Sequence, residues 1–126
     1  MKKRYPGKII NGNLNDDMAE YLACADILIT DASSSMFDFA LTGKPCFLYF
    51  PDVEHYDKVE RGFYFDIQRD LPFPLSVNFD ELCEQIQSFD EEKYAVGIKE
   101  LLENIGNIDD GNSSKRVVEY IVEHIK

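Results

Sequence analysis

The stretch that most limits the fold runs over residues 26–50. Ile27, Leu28 and Ile29 form one continuous apolar run, and residues 46–50 form a second. Such runs suit strands buried on both faces, as in a parallel sheet. Between them Met36, Phe37, Phe39, Ala40 and Leu41 recur at helical spacing. Gly43 follows, the residue best able to take the left-handed conformation that ends a helix. The pattern predicts a strand over 26–30, a helix over 35–42 and a strand over 46–50. This is a βαβ unit, whose crossover is almost always right-handed.

The flanking sequence extends the α/β pattern. Residues 8–10 are a short apolar run ended by the turn signal Asn11-Gly12-Asn13, and Asn15 or Asp16 is the expected cap of a helix carrying Met18, Tyr21, Leu22 and Ala25. Residues 51–61 read as a charged loop, 62–66 as a short aromatic strand or ordered loop, and 71–75, with two prolines, as extended chain. Helical periodicity marks 79–89 and 91–104. Asn112 or Ser113 is expected to cap a last helix with Val117, Val118, Ile121, Val122 and Ile125 on its apolar face. The expected fold is α/β: one domain over 1–126, a partial Rossmann-like parallel sheet with flanking helices. About three strands can be placed, against the five or six usual in a doubly wound domain.

Charge narrows the partners. The 126 residues carry a formal net charge of −11. Nucleic-acid affinity comes largely from Lys and Arg neutralising phosphates, so no nucleic-acid partner is expected. Anionic membrane surfaces repel such a chain, and no apolar run approaches the ~20 residues of a membrane span, so direct membrane insertion is not expected either. The three cysteines, Cys24, Cys46 and Cys83, are dispersed in apolar surroundings, and His55 and His124 lack metal-ligand spacing. No metal and no cofactor is expected, and buried thiols fit a reducing, cytoplasmic setting.

In open α/β sheets ligands bind beyond the carboxyl ends of strands. Thr30 and Asp31 end the first predicted strand there, and Ser33, Ser34 and Ser35 lead into the helix. Small residues let phosphate oxygens approach backbone N–H groups, and serine hydroxyls add donors. Asp38 stands about one helical turn beyond Ser34, where a carboxylate can accept hydrogen bonds from a ribose diol. Serine runs also cap helices without binding anything, and Asp38 also suits a solvent-facing position. Arg61 is a candidate for a bidentate diphosphate contact or for an ion pair with Asp52, Asp57 or Asp66. Asp109-Asp110-Gly111-Asn112 lacks the ligand spacing of an EF-hand and reads as a turn and helix cap. Arg116, unfavourable at a helix start, points to a nearby anion such as Asp109 or Asp110.

Three ordered blocks carry a family resemblance. Asp31-Ala32-Ser33-Ser34-Ser35-Met36-Phe37-Asp38 running on to Gly43-Lys44-Pro45, then Asp52, Tyr56 and Arg61-Gly62-Phe63-Tyr64-Phe65-Asp66, then Asp109-Asp110-Gly111-Asn112-Ser113-Ser114-Lys115-Arg116 resemble the CDP-glycerol glycerophosphotransferases, the teichoic acid primases and polymerases of Gram-positive bacteria. The first block is also similar to that of the UDP-N-acetylglucosamine 2-epimerases.

The resemblance implies the C-terminal, donor-binding domain of a GT-B transferase with its N-terminal strands missing. CDP-glycerol or a similar nucleotide is the implied donor, and a polymer or lipid-linked hydroxyl the acceptor, met through an absent N-terminal domain. Thr30, Asp31, Ser33, Ser34, Ser35 and Arg61 would hold the diphosphate and Asp38 the ribose. The parent protein would be cytoplasmic, peripheral on the inner face of the membrane.

The chain departs from the pattern at Ala32, where an aromatic residue is common, and at Pro72-Phe73-Pro74, where Pro-Gly-Pro is common. The family's His-Pro motif and its histidine base have no counterpart in His55 or His124. No catalytic residue is therefore assigned, and the isolated chain is expected to be inactive. A nucleotide-sugar glycosyltransferase, a receiver-like module and a scaffolding half are the alternatives; the receiver reading lacks that fold's paired acids.

Overall fold

The computed structural model describes residues 7–14, 17–53, 66–67 and 69–125. Its regular elements are a 3-10 turn at Gly12–Leu14, α1 (Met18–Cys24), β1 (Leu28–Thr30), α2 (Ser35–Ala40), β2 (Cys46–Tyr49), β3 (Leu75–Ser76), α3 (Phe79–Gln87), α4 (Glu91–Asn104) and α5 (Ser113–His124). The strands form one sheet in the order β1-β2-β3, all parallel. Leu28, Ile29 and Thr30 pair with Cys46, Phe47 and Leu48, while Leu48 and Tyr49 pair with Leu75 and Ser76.

The predicted βαβ unit is present with shorter elements. β1 starts at Leu28, and α2 stops at Ala40 because the chain leaves through a turn to Gly43 at φ +70°. There the Thr42 hydroxyl donates to the Phe39 carbonyl at 2.7 Å and accepts from the Lys44 amide at 3.2 Å. Asp17 caps α1 by accepting from the Ala19 amide at 2.8 Å; the expected caps, Asn15 and Asp16, lie outside the described residues. The extended chain before α3 contributes a third strand of only two residues.

β2 is the centre of the core: Cys46, Phe47 and Leu48 are each at most 1% exposed. On the Cys46 and Leu48 face the core includes Leu22 of α1, Met36, Phe39 and Ala40 of α2, and Tyr94, Ile98 and Leu101 of α4, with Leu28 packed against it. On the other face Phe47 meets Phe89 at 5.2 Å between ring centroids, and Phe89 meets Tyr94 at 5.1 Å.

Two polar ties fix the start of β2. The Tyr94 hydroxyl accepts from the Cys46 amide at 3.1 Å and donates to the Lys44 carbonyl at 3.2 Å. The Lys44 ammonium donates to the carbonyls of Ala23 and Ala25 at 3.1 and 2.7 Å, satisfying the end of α1. α4 runs close to Pro72 because residue 97 is glycine: a Cβ there would stand 2.7 Å from the Pro72 Cβ.

α5 departs from expectation. Its apolar stripe is present but no described residue covers it, and no residue of the helix is buried. Arg116 does find the anion its position called for. It donates to the Asp110 carboxylate, holding that acid below the usual carboxylate range, and to the Ile108 carbonyl at 2.9 Å.

Candidate functional site

Two cavities stand out among the described residues. One, of about 670 Å³, lies between the segment leading into β3 and the α3–α4 junction; Leu71, Pro72, Phe73, Phe89 and Tyr94 give it a largely apolar wall. Tyr94 ties to the start of β2, so this cavity sits toward the amino ends of the strands, away from where open α/β sheets bind ligands. The other, about 690 Å³, is a crevice lined by Asp31, Ala32 and Ser33 after β1 and by Tyr49, Phe50, Pro51 and Asp52 at the end of β2. It lies at the carboxyl ends of two parallel strands and is the candidate site.

The serine turn sorts its donors. The Met36 and Phe37 amides donate to the carbonyls of Ser33 and Ser34 at 3.1 and 3.0 Å, closing the turn into α2. The Ser35 amide and hydroxyl both donate to the Ser33 Oγ, at 3.4 and 3.1 Å. Ser34, at the cap position, makes no side-chain cap bond; the oxygen that satisfies an early amide belongs to Ser33. The amides of the first helical turn are thus occupied. The Ser33 and Ser34 amides have no backbone or side-chain acceptor among the described residues. Because the Ser33 oxygen accepts from two neighbours, its own proton is left to donate elsewhere.

Asp31 and Ser33 line the crevice. Thr30 ends β1 half-buried, Ser35 is half-buried, and Ser34 and Asp38 are exposed at the start of α2 without lining it. Arg61 lies outside the described residues, as do Tyr56 and residues 62–65 of the second sequence block. Tyr49, Phe50 and Pro51 form a wall that sequence reasoning missed. The signal was available: the rule that places a ligand beyond β1 applies equally to the end of its neighbour β2.

The crevice is acidic. Asp31 and Asp52 are both in its lining, and no lysine or arginine is among the described lining residues. Among the described residues no group of three or more His, Cys, Asp or Glu is placed to hold a metal ion. No described helix is long and apolar enough to cross a membrane. Donors from backbone and hydroxyl beside carboxylates suit a ligand that is part phosphate and part polyol.

Comparison with known proteins names the relatives. The family model for CDP-glycerol:poly(glycerophosphate) glycerophosphotransferase matches residues 2–123. A teichoic acid poly(glycerol phosphate) polymerase of Bacillus spizizenii is 36% identical over 108 residues, covering 86% of this chain and 27% of the relative. A teichoic acid glycerol-phosphate transferase of Staphylococcus aureus is 31% identical over 108 residues, covering 84% of this chain and 28% of the relative. Among solved structures, a variant of the wall teichoic acid polymerase TagF superposes with a TM-score of 0.80 at 29% identity, over 98% of this chain and 30% of that one. A second TagF structure, soaked with CDPG, gives 0.74 at 30% identity over 90% of this chain and 28% of that one. The chain spans between 14% and 30% of the length of the curated relatives it matches. With nearly its whole length matched and its α/β fold shared with TagF, the chain belongs to the CDP-glycerol:poly(glycerophosphate) glycerophosphotransferase family.

Proposed function

We propose that residues 1–126 are a single donor-binding unit of a transferase that moves glycerol phosphate, or a related polyol phosphate, from a CDP-activated donor to a hydroxyl acceptor. The observation that carries this reading is the pair of amides at Ser33 and Ser34 that have no acceptor among the described residues, beside the free Ser33 proton, at the carboxyl end of a parallel strand. Such donors match a diphosphate.

In the reaction the acceptor oxygen attacks the phosphorus that bears glycerol. The bond to the bridging oxygen breaks, CMP leaves with that electron pair, and the acceptor proton passes to a base outside the described residues. The chain's part is to hold the donor and to stabilise charge growing on the leaving phosphate. Thr30, Asp31, Ser33, Ser34 and Ser35 are assigned to the diphosphate, with Arg61 as the cation the acidic crevice needs, and Asp38 to the ribose. The acceptor is a polymer or lipid-linked hydroxyl reached through polypeptide beyond this unit. The parent works in the cytoplasm at the inner face of the membrane.

Calorimetric titration with CDP-glycerol, CMP and a UDP-sugar tests the reading. CDP-glycerol binds best, and Ser33→Ala weakens it about 10- to 150-fold, the loss of one donor to a charged group at about 1.5–3 kcal/mol. A UDP-sugar bound as tightly as CDP-glycerol, or a Ser33→Ala chain bound like the parent, sinks the proposal.

A further inference from the structure

The cavity of about 670 Å³ at the amino ends of the strands takes no part in the donor reading. Its size and its apolar, aromatic wall with few polar groups are those of a small-molecule site. Two of those polar groups lack partners. The Pro74 and Ser76 carbonyls accept from the Leu48 and Phe50 amides at 2.8 and 2.9 Å, so alternation along β3 turns the Leu75 N–H and C=O away from β2. The Gln85 Nε2 donates to that outward Leu75 carbonyl at 2.8 Å. The Leu75 N–H has no acceptor among the described residues, and the Gln85 Oε1 is buried with no donor among them. Turning the Gln85 amide over would set its oxygen against the Leu75 carbonyl, so the bond fixes its orientation. A spare donor and a spare acceptor therefore stand on two lining residues that are joined by a hydrogen bond. A buried amide oxygen without a donor is costly, and a ligand N–H removes that cost.

The charge of the lining points the same way. The chain carries 24 acids and 13 bases, yet this cavity is lined by two bases, Arg69 and Lys93, and one acid, Asp90. Arg69 is taken by Asp70 at 2.8 Å, and Asp90 accepts from the Lys93 amide at 2.9 Å as the cap of α4. The Lys93 ammonium has no ion pair or hydrogen bond among the described residues. It stands in the first turn of α4, where a cation opposes the helix dipole. Arg116 has the same anomaly at the head of α5 and resolves it on Asp110; Lys93 has no such anion. β3 turns only one residue outward, too little edge for an added peptide strand. The amine and neighbouring ring nitrogen of cytosine or adenine, by contrast, are one donor beside one acceptor on a compact ring.

We infer that this cavity binds a nucleoside monophosphate whose base carries an exocyclic amine. The base lies against Pro72 and Phe89, its amine donates to the Gln85 Oε1, its ring nitrogen accepts from the Leu75 N–H, and its phosphate meets Lys93. CMP and AMP share this chemistry, and CMP is also the leaving group of the proposed reaction. The inference rests on the cavity's own groups and not on the donor reading.

NMR titration of the 126-residue chain with CMP, AMP, cytidine and inorganic phosphate tests it. CMP or AMP is expected to shift the Gln85 side-chain signals and the Leu75 and Gly97 amides saturably, and the tighter of the two identifies the base. Lys93→Met is expected to weaken that binding about 5-fold, the scale of one exposed charge contact, and Lys93→Arg to restore it. Gln85→Met is expected to weaken it about 10-fold. Ser33→Ala, which weakens donor binding in the crevice, is expected to leave these shifts unchanged, so failure here is separable from failure of the donor titration. No saturable shift at these groups, or shifts confined to Asp31, Ser33 and Tyr49, overturns the inference, as does a Lys93→Met chain that binds like the parent. Cytidine bound as tightly as CMP, or inorganic phosphate producing the same shifts at the same concentration, overturns it too.

Discussion

Removing one oxygen tests how β2 is held. Tyr94→Phe keeps the ring that packs on Phe89 and deletes only the hydroxyl between the Cys46 amide and the Lys44 carbonyl. Cys46 is 0% exposed, so its N–H loses its acceptor where water does not reach. A buried donor left unsatisfied costs about 1–3 kcal/mol. Lys44 is only half-buried, and its carbonyl regains water at a cost of about 0–1 kcal/mol. The expected destabilisation is about 2 kcal/mol. In urea, with a slope of about 1.5–2 kcal/mol/M for a chain of this size, the unfolding midpoint falls by about 1 M with the slope unchanged. Tyr120→Phe, on an exposed hydroxyl of α5, is the matched control and shifts stability by no more than about 0.5 kcal/mol. Circular dichroism at a helical wavelength reads both. A Tyr94→Phe midpoint within about 0.2 M of the parent would refute the claim that this hydroxyl is the partner holding the buried amide.

Gly97→Ala sets helix propensity, worth about 1 kcal/mol in favour of alanine, against a Cβ contact of 2.7 Å with the rigid Pro72 ring. Overpacking at about 1–3 kcal/mol is expected to win; a variant more stable than the parent by urea melting contradicts the close approach. Ser76→Ala removes a fully buried hydroxyl that has no hydrogen-bond partner among the described residues, and is expected to stabilise by roughly 1 kcal/mol; a lower melting temperature would mean the hydroxyl is satisfied. Burial pushes the Cys46 thiol from 9.0 up to about 12. A raised folded value favours the protonated form, so this contribution is complete below about pH 9 and is lost as pH rises through about 12. Thiol labelling at pH 8 should reach exposed Cys24 long before Cys46, and equal rates would show that the start of β2 opens readily.

Much of the fold could be read from local pattern, because its signals repeat within a dozen residues. The runs at 27–29 and 46–50, with helical spacing between them and Gly43 after it, sufficed for the βαβ unit, whose observed register follows from strand pairing. The ordered blocks around Asp31, Asp52 and Asp109 likewise sufficed for the family. Boundaries shifted by one or two residues because caps depend on individual hydrogen bonds, as when Asp17 takes the place at the head of α1.

The site was legible only along one strand. Asp31 and the serines announce themselves through the rule for strand ends, but their donors compete with one another, and only the folded turn decides that Ser33 and Ser34 keep free amides while Ser35 spends its own on Ser33. Tyr49 and Asp52 join the crevice because β2 lies beside β1, a relation across about twenty residues that no local periodicity encodes. The Tyr94 tie spans 48 residues to Cys46 for the same reason. The stripe of α5 shows the converse: spacing determines that Val117, Val118, Ile121, Val122 and Ile125 share an apolar face, and only tertiary packing determines whether anything covers it. Period is a property of the chain, whereas burial is a property of what the chain meets.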